Sequence, residues 1–110
     1  KLPNYKNAII PDEKINGYAL NKNHPSGKNK AIAFEQYLGY NNSNSNLLIE
    51  EIRRLTSENP AVLRFSDEYG DRYEIKALMD GVSGKTANVK IAYIVQKDGT
   101  ARLTSVYVAK

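Results

Sequence analysis

The hydrophobic spacing of this chain changes once, at Asn59-Pro60, and that change limits what it can fold into. Before it, apolar residues recur every three or four positions. After it, they alternate. Ile15, Tyr18 and Ala19 form one stripe, Ala31, Phe34 and Leu38 a second, and Leu48, Ile52 and Leu55 a third. The spacing predicts a short helix from Pro11 to about Leu20, a second over Asn29–Leu38 and a third over Leu47–Ser57. Pro11 followed by Asp12 and Glu13 suits a helix start, and Gly39 a helix stop. Asn29 or Ser26 is expected to cap the second helix, and Asn46 or Ser45 the third. Beyond Pro60, strands are expected over Ala61–Phe65, Arg72–Met79, Ala87–Gln96 and Ala101–Val108. In the third of these, Val89, Ile91, Tyr93 and Val95 alternate with Asn88, Lys90, Ala92 and Ile94. Asp98-Gly99 then marks a hairpin turn into the fourth.

Helices followed by a meander imply an α+β fold: two to three N-terminal helices packed on one face of a four-stranded antiparallel β-sheet, the other face partly open. The 110 residues suit a single domain, with an approach segment at 1–10, a helical part at 11–58 and the sheet at 61–110. The chain starts at Lys1 without a methionine, which suggests a piece of a longer protein.

The absence of cysteine excludes a disulfide framework, a thiol nucleophile and any cysteine-based metal site. No apolar run approaches the roughly 18 residues a membrane span needs. Net charge is +4 with a sequence pI near 9.3, a bias towards polyanions. Gly81 to Lys85, GVSGK, lacks the spacing of a P-loop, and no HExxH or GxSxG is present. The carboxylate pairs Asp12-Glu13 and Asp67-Glu68 read as a helix start and a turn. No metal and no cofactor are expected.

Chemistry concentrates in Asn21 to Gly39, NKNHPSGKNKAIAFEQYLG, which holds the only histidine. His24 can act as acid or base near neutral pH. Lys22, Lys28 and Lys30 flank it, and lysine suits a phosphate and the extra charge of a phosphorane-like transition state. Pro25 biases His24 towards extended backbone, and Gly27 lets the chain turn back. The same segment also reads as an ordinary polar loop with a solvated charge run. The last strand, ARLTSVYVAK, is the second informative stretch. Strict alternation places Arg102 and Thr104 on one face and Ser105 and Tyr107 on the other. A Thr-Ser pair in mid-strand implies that one face meets solvent or a ligand, although Thr104 also suits a half-exposed strand by propensity.

The LPN and AIIP of the approach segment, the block LNKNHPSGKNKAIAF, the strand YGDRYEI and the closing RLTSVYV resemble an uncharacterised bacterial domain family found at the C termini of large polymorphic toxins, including contact-dependent inhibition toxins. The sharpest motif is His24-Pro25 with Gly27, Lys30, Ala31 and Phe34. The order of elements is similar to the superfamily of barnase, EndoU, colicin-type tRNases and RelE. The resemblance implies a metal-independent endoribonuclease toxin, delivered as the C-terminal part of a larger secreted or surface protein and acting in the target-cell cytoplasm. RNA, with tRNA first among substrates, and a cognate immunity protein are the implied partners, and a monomer is expected. Cleavage would proceed by attack of an RNA 2′-hydroxyl on phosphorus. His24, Lys30, Ser105, Thr104 and Tyr107 are the expected catalytic set; Lys28, Lys22, Arg102 and Arg72 are the expected phosphate and RNA contacts. The family pattern carries threonine where this chain has Ser105, which keeps the hydroxyl. The alternatives are a non-catalytic basic module that binds RNA or protein, and a structural domain of a phage or secretion assembly.

Overall fold

The computed structural model describes residues 1–109. Three helical segments precede a four-stranded antiparallel meander of order β1-β2-β3-β4, so the fold is α+β as expected. Helix α1 (Asp12–Lys14) runs on as a π turn over Ile15–Ala19, and α2 (Lys28–Ala33) as another over Phe34–Leu38. Gly39, at φ 75°, ends the second with the left-handed conformation that glycine adopts freely. Helix α3 spans Ser45–Glu58. The strands are β1 (Val62–Asp67), β2 (Gly70–Asp80), β3 (Thr86–Gln96) and β4 (Ala101–Val108). Among the described residues, no helix is long and apolar enough to cross a membrane.

The three apolar stripes are the ones the spacing predicts. Ile15, Phe34, Leu38, Leu48 and Ile52 are fully buried against Ile75, Met79, Val89, Ile91, Tyr93, Leu103 and Val106 of the sheet. Within this core, the Tyr93 hydroxyl meets Thr56 Oγ1 at 2.8 Å, so the polar end of this buried tyrosine is satisfied. The approach segment docks beside β4. Ile9 N–H donates to Ala101 O at 2.8 Å and Ile9 O accepts from Leu103 N at 2.9 Å, which covers the first half of that edge.

Three sequence expectations are corrected. Neither Asn29 nor Ser26 caps α2; Gly27 is its N-cap residue, and the preceding turn is held by the His24 ring instead. The asparagine-rich loop before α3 folds into its own turn. There Asn41 accepts from Ser43 N and Asn44 accepts from Asn41 N, and the helix starts at Ser45 without a side-chain cap from Asn46. The faces of β4 also differ from strict alternation. Ala92 pairs with Ser105 but Tyr93 pairs with Leu103, so Thr104 is an extra, bulged residue. Leu103 and Val106 consequently both point into the core, while Arg102, Thr104, Ser105 and Tyr107 all belong to the outer side. The register then lays three rows across the open face: Arg72, Ile94 and Arg102; Glu74, Ala92 and Ser105; Lys76, Lys90 and Tyr107.

Candidate functional site

The loop between α1 and α2 is built by its own hydrogen bonds. Asn21 N–H donates to Tyr18 O at 3.2 Å, His24 N–H to Asn21 O at 3.2 Å and Lys28 N–H to His24 O at 3.0 Å. The His24 ring is locked into this frame. Its Nδ1 lies 3.1 Å from Ser26 N, 3.0 Å from Gly27 N and 3.2 Å from Ser26 Oγ. Two backbone N–H donors at one ring nitrogen make Nδ1 the acceptor. In the neutral imidazole the proton therefore sits on Nε2, which is left as a donor.

Tyr18, at the end of the first apolar stripe, stands edge-on to that ring, with centroids 4.7 Å apart and planes at 76°. The π turn around it keeps Ile15, Ala19 and Leu20 in the core while Tyr18 stays half-exposed. Lys30 closes the group. Its Nζ donates to the Tyr18 hydroxyl at 3.2 Å and lies 4.9 Å from the Tyr18 ring centre. The same ammonium is 5.2 Å from the ring centre of Tyr107, on β4. One lysine thus joins the first helical segment, the second helix and the last strand.

The hydrogen bond from Lys30 lowers the Tyr18 pKa below the ordinary tyrosine value. The charge of Lys30, the Ser26 hydroxyl and the charge of Lys14 act in the same direction, against partial burial. Tyr93 shows the contrary case: burial in the core pushes its phenol up. The hydrogen bond from a lysine ammonium sets Tyr18 apart chemically from the core phenol of Tyr93.

The structure links His24 to Lys30 and Tyr107 through Tyr18, a residue that its sequence spacing places among core residues. The available signal was that Tyr18 is the only hydroxyl in its stripe and lies three residues before the loop. Ser105 shares the outer side of β4 with Tyr107, two residues and roughly 7 Å along the strand. Thr104 uses its hydroxyl within the bulge, donating to Ala92 O at 3.2 Å. Arg102 lies one row further along the open face. Lys28 is exposed in the first turn of α2. Two expected phosphate contacts are engaged elsewhere. Lys22 pairs with Glu35, whose carboxyl that hydrogen bond, with one from Asn41, holds below the usual range. Arg72 pairs with Asp67 at 3.1 Å in the β1–β2 hairpin, two strands away from β4. Among the described residues no group of three or more His, Cys, Asp and Glu side chains could hold a metal ion.

Gly27 sets the closeness of the loop to Tyr18. A Cβ there would stand 2.9 Å from Tyr18 O and 3.3 Å from two ring carbons, and the backbone atom cannot swing away. Gly27→Ala is expected to cost about 1–3 kcal/mol by overpacking, read from urea melts. It should also separate the Tyr18 and His24 rings, seen in NMR as loss of the ring-current shift on the His24 ring protons. Unchanged shifts would show that the loop absorbs the methyl without moving Tyr18.

No curated protein matches this sequence. The model of a family described as "Domain of unknown function (DUF6883)" matches residues 1–110. In structure the chain is similar to a chain of the contact-dependent growth inhibition toxin–immunity protein complex from Klebsiella pneumoniae 342, at TM-score 0.72 and 19% identity. The likeness covers 93% of this chain and 100% of that one, and at such identity it is a likeness of fold.

Proposed function

The chain belongs to the DUF6883 family over its whole length, and from the shared fold and the Lys30 cluster we propose that it is a ribonuclease toxin domain that needs no metal. On this reading it reaches competing bacteria as part of a larger protein and is neutralised by a cognate immunity protein. The fold likeness to a chain of a toxin–immunity complex supports the setting. The observation that carries the chemistry is Lys30 Nζ held between Tyr18 and Tyr107 with the His24 ring against Tyr18.

The proposed reaction is transfer of phosphorus from the 5′-oxygen to the 2′-oxygen of RNA. Tyr18, as phenolate, takes the proton of the 2′-hydroxyl. The 2′-oxygen–phosphorus bond forms and the phosphorus–5′-oxygen bond breaks. The Lys30 ammonium gives a proton to the departing 5′-oxygen. Neutral Lys30 then recovers a proton from Tyr18 along the hydrogen bond that joins them, and both groups return to their starting state. The Nε2–H of His24 donates to a non-bridging phosphate oxygen, where charge builds in the transition state. Ser105 and Lys28 complete the hold on substrate. A single histidine suffices because the two proton transfers fall to the tyrosine–lysine pair.

The expected products are fragments with 2′,3′-cyclic phosphate and 5′-hydroxyl ends. Total bacterial RNA, with tRNA the first substrate to score, should be cut by the purified domain equally well in EDTA. Cleavage that stops in chelator and returns with magnesium would overturn this mechanism. Expression of the domain alone should arrest growth, and His24→Ala should relieve the arrest without lowering the melting temperature by more than about 15 °C, the shift expected for the two turn hydrogen bonds lost at Nδ1. A chain that leaves growth untouched and instead protects cells from a neighbouring toxin would belong on the immunity side of such a pair. A basic module that binds RNA without cutting it would keep its affinity in His24→Ala and produce no fragments.

A further inference from the structure

We propose that the open face of the sheet carries a lysine track, Lys76 and Lys90, that leads a single-stranded nucleic-acid backbone across β2 and β3 to the Lys30 cluster; it rests on the ribonuclease reading for the identity of the polyanion. The register sets Lys76 directly opposite Lys90, and Lys90 directly opposite Tyr107. Neighbouring strands lie roughly 4.8 Å apart, so this row spans about 10 Å before it reaches the tyrosine ring that Lys30 faces. Lys76, Lys90, Tyr107 and Lys30 therefore form one continuous file around the β4 edge.

Two like charges directly opposite on one face of an antiparallel pair repel, and such pairs are destabilising. Among the described residues neither lysine is in an ion pair. Glu74 in the adjacent row is the acidic side chain nearest to both in the register. The fold therefore keeps on its open face a cation pair that is in no ion pair among the described residues, where an anion from outside would relieve the repulsion. The surroundings suit a nucleic-acid strand. An open groove of about 450 Å³ lies over this row, lined by Asn59, Lys76, Leu78, Asn88, Lys90 and Ala109. Leu78, opposite Asn88, is 58% exposed and gives an apolar surface beside the lysines. Tyr107 gives a ring at the other end. Cations in file with flat and apolar surfaces beside them are what a phosphate backbone and its bases require. An acidic protein surface would use the charges but not the file.

The test uses a fluorescent oligouridylate of about 12 nucleotides, 2′-O-methylated so that it cannot be cut, titrated with the whole domain over a range of salt. Wild type should bind with an affinity that falls steeply with salt. In Lys76→Gln/Lys90→Gln the log–log salt slope should shrink by about 1.4, since each neutralised phosphate contributes about 0.7 on single strands. Affinity near 100 mM salt should drop about tenfold. The melting temperature should hold or rise, because a repulsive pair has been removed. With cleavable RNA, KM should rise while kcat stays. An unchanged slope in the double variant overturns the track even if wild type cleaves RNA. A reduced slope in a protein that never cleaves RNA supports the track and removes the ribonuclease reading instead. An equal loss of affinity for polyglutamate would show a general anion surface and overturn the assignment to nucleic acid.

Discussion

Tyr18→Phe and Lys30→Met should each slow RNA cleavage by about 10²–10⁴-fold, the range for loss of a positioned proton-transfer group. The double variant should be no slower than the worse single, because the two act as one unit. The first change removes one oxygen and keeps the ring that packs edge-on against His24. The second keeps the length of the side chain between the two tyrosine rings and removes its charge. Neither should shift the melting temperature by more than a few degrees, since both side chains are at least partly exposed. The dependence on pH carries a sign. A base works deprotonated, so the rate should rise with pH through the Tyr18 pKa. Lys30, with help from Ser26 and Lys14, sets that pKa below the ordinary tyrosine value, and His24 is the remaining titratable group in ring contact. Residual activity in Lys30→Met should therefore show its rising limb at higher pH than wild type. A limb that does not move would place the titrating group elsewhere, and full activity in Tyr18→Phe would dismiss the phenol as base.

How far this site could be read without coordinates depends on the range of the interaction that makes it. The strand over Ala101–Val108 is legible because alternation and the Asp98-Gly99 turn are local features, and the structure has a strand over the same residues. Its faces are not legible, because the bulge at Thr104 depends on which residues of β3 stand opposite. The burial of Leu48, Ile52 and Leu55 follows from helical spacing alone. The same rule misfiles Tyr18. Its stripe position is correct, but the π turn and the arrival of Lys30 from twelve residues on leave it half-exposed and charged on one side. His24 shows the reverse. The sequence points to it as the one titratable ring near neutrality, and only the geometry shows that Nδ1 already serves the turn. The lysine pair at 76 and 90 is a register effect: each sits in an unremarkable alternating strand until the β2–β3 connection sets them opposite each other.

The largest effect on stability is expected at Phe34. It is fully buried at the junction where α2 gives way to the π turn that ends in Leu38. That turn has no slack. A Cβ on Gly81, in the connection after β2, would meet Leu38 O at 2.4 Å and its Cα at 2.8 Å, so the helix end and the sheet touch backbone to backbone. The neighbourhood cannot collapse into a hole left by a phenyl ring. Phe34→Ala should then cost about 3–5 kcal/mol, a large share of the roughly 5–15 kcal/mol that holds a domain of this size. Differential scanning calorimetry should show the melting temperature falling by about 15–30 °C, whereas Phe34→Leu, which keeps most of the volume, should cost less than about 1.5 kcal/mol. The consequence for function follows from the chain between them. Lys30 lies one helical turn before Phe34, on the same short helix, and its reach to Tyr18 and Tyr107 depends on that helix staying seated. At low temperature, where Phe34→Leu is fully folded, its cleavage rate per molecule should match wild type. A Phe34→Ala protein that melts within about 3 °C of wild type, less than the shift expected for a single lost kcal/mol, would mean that α2 is not anchored through this ring and that Lys30 is placed by the loop alone.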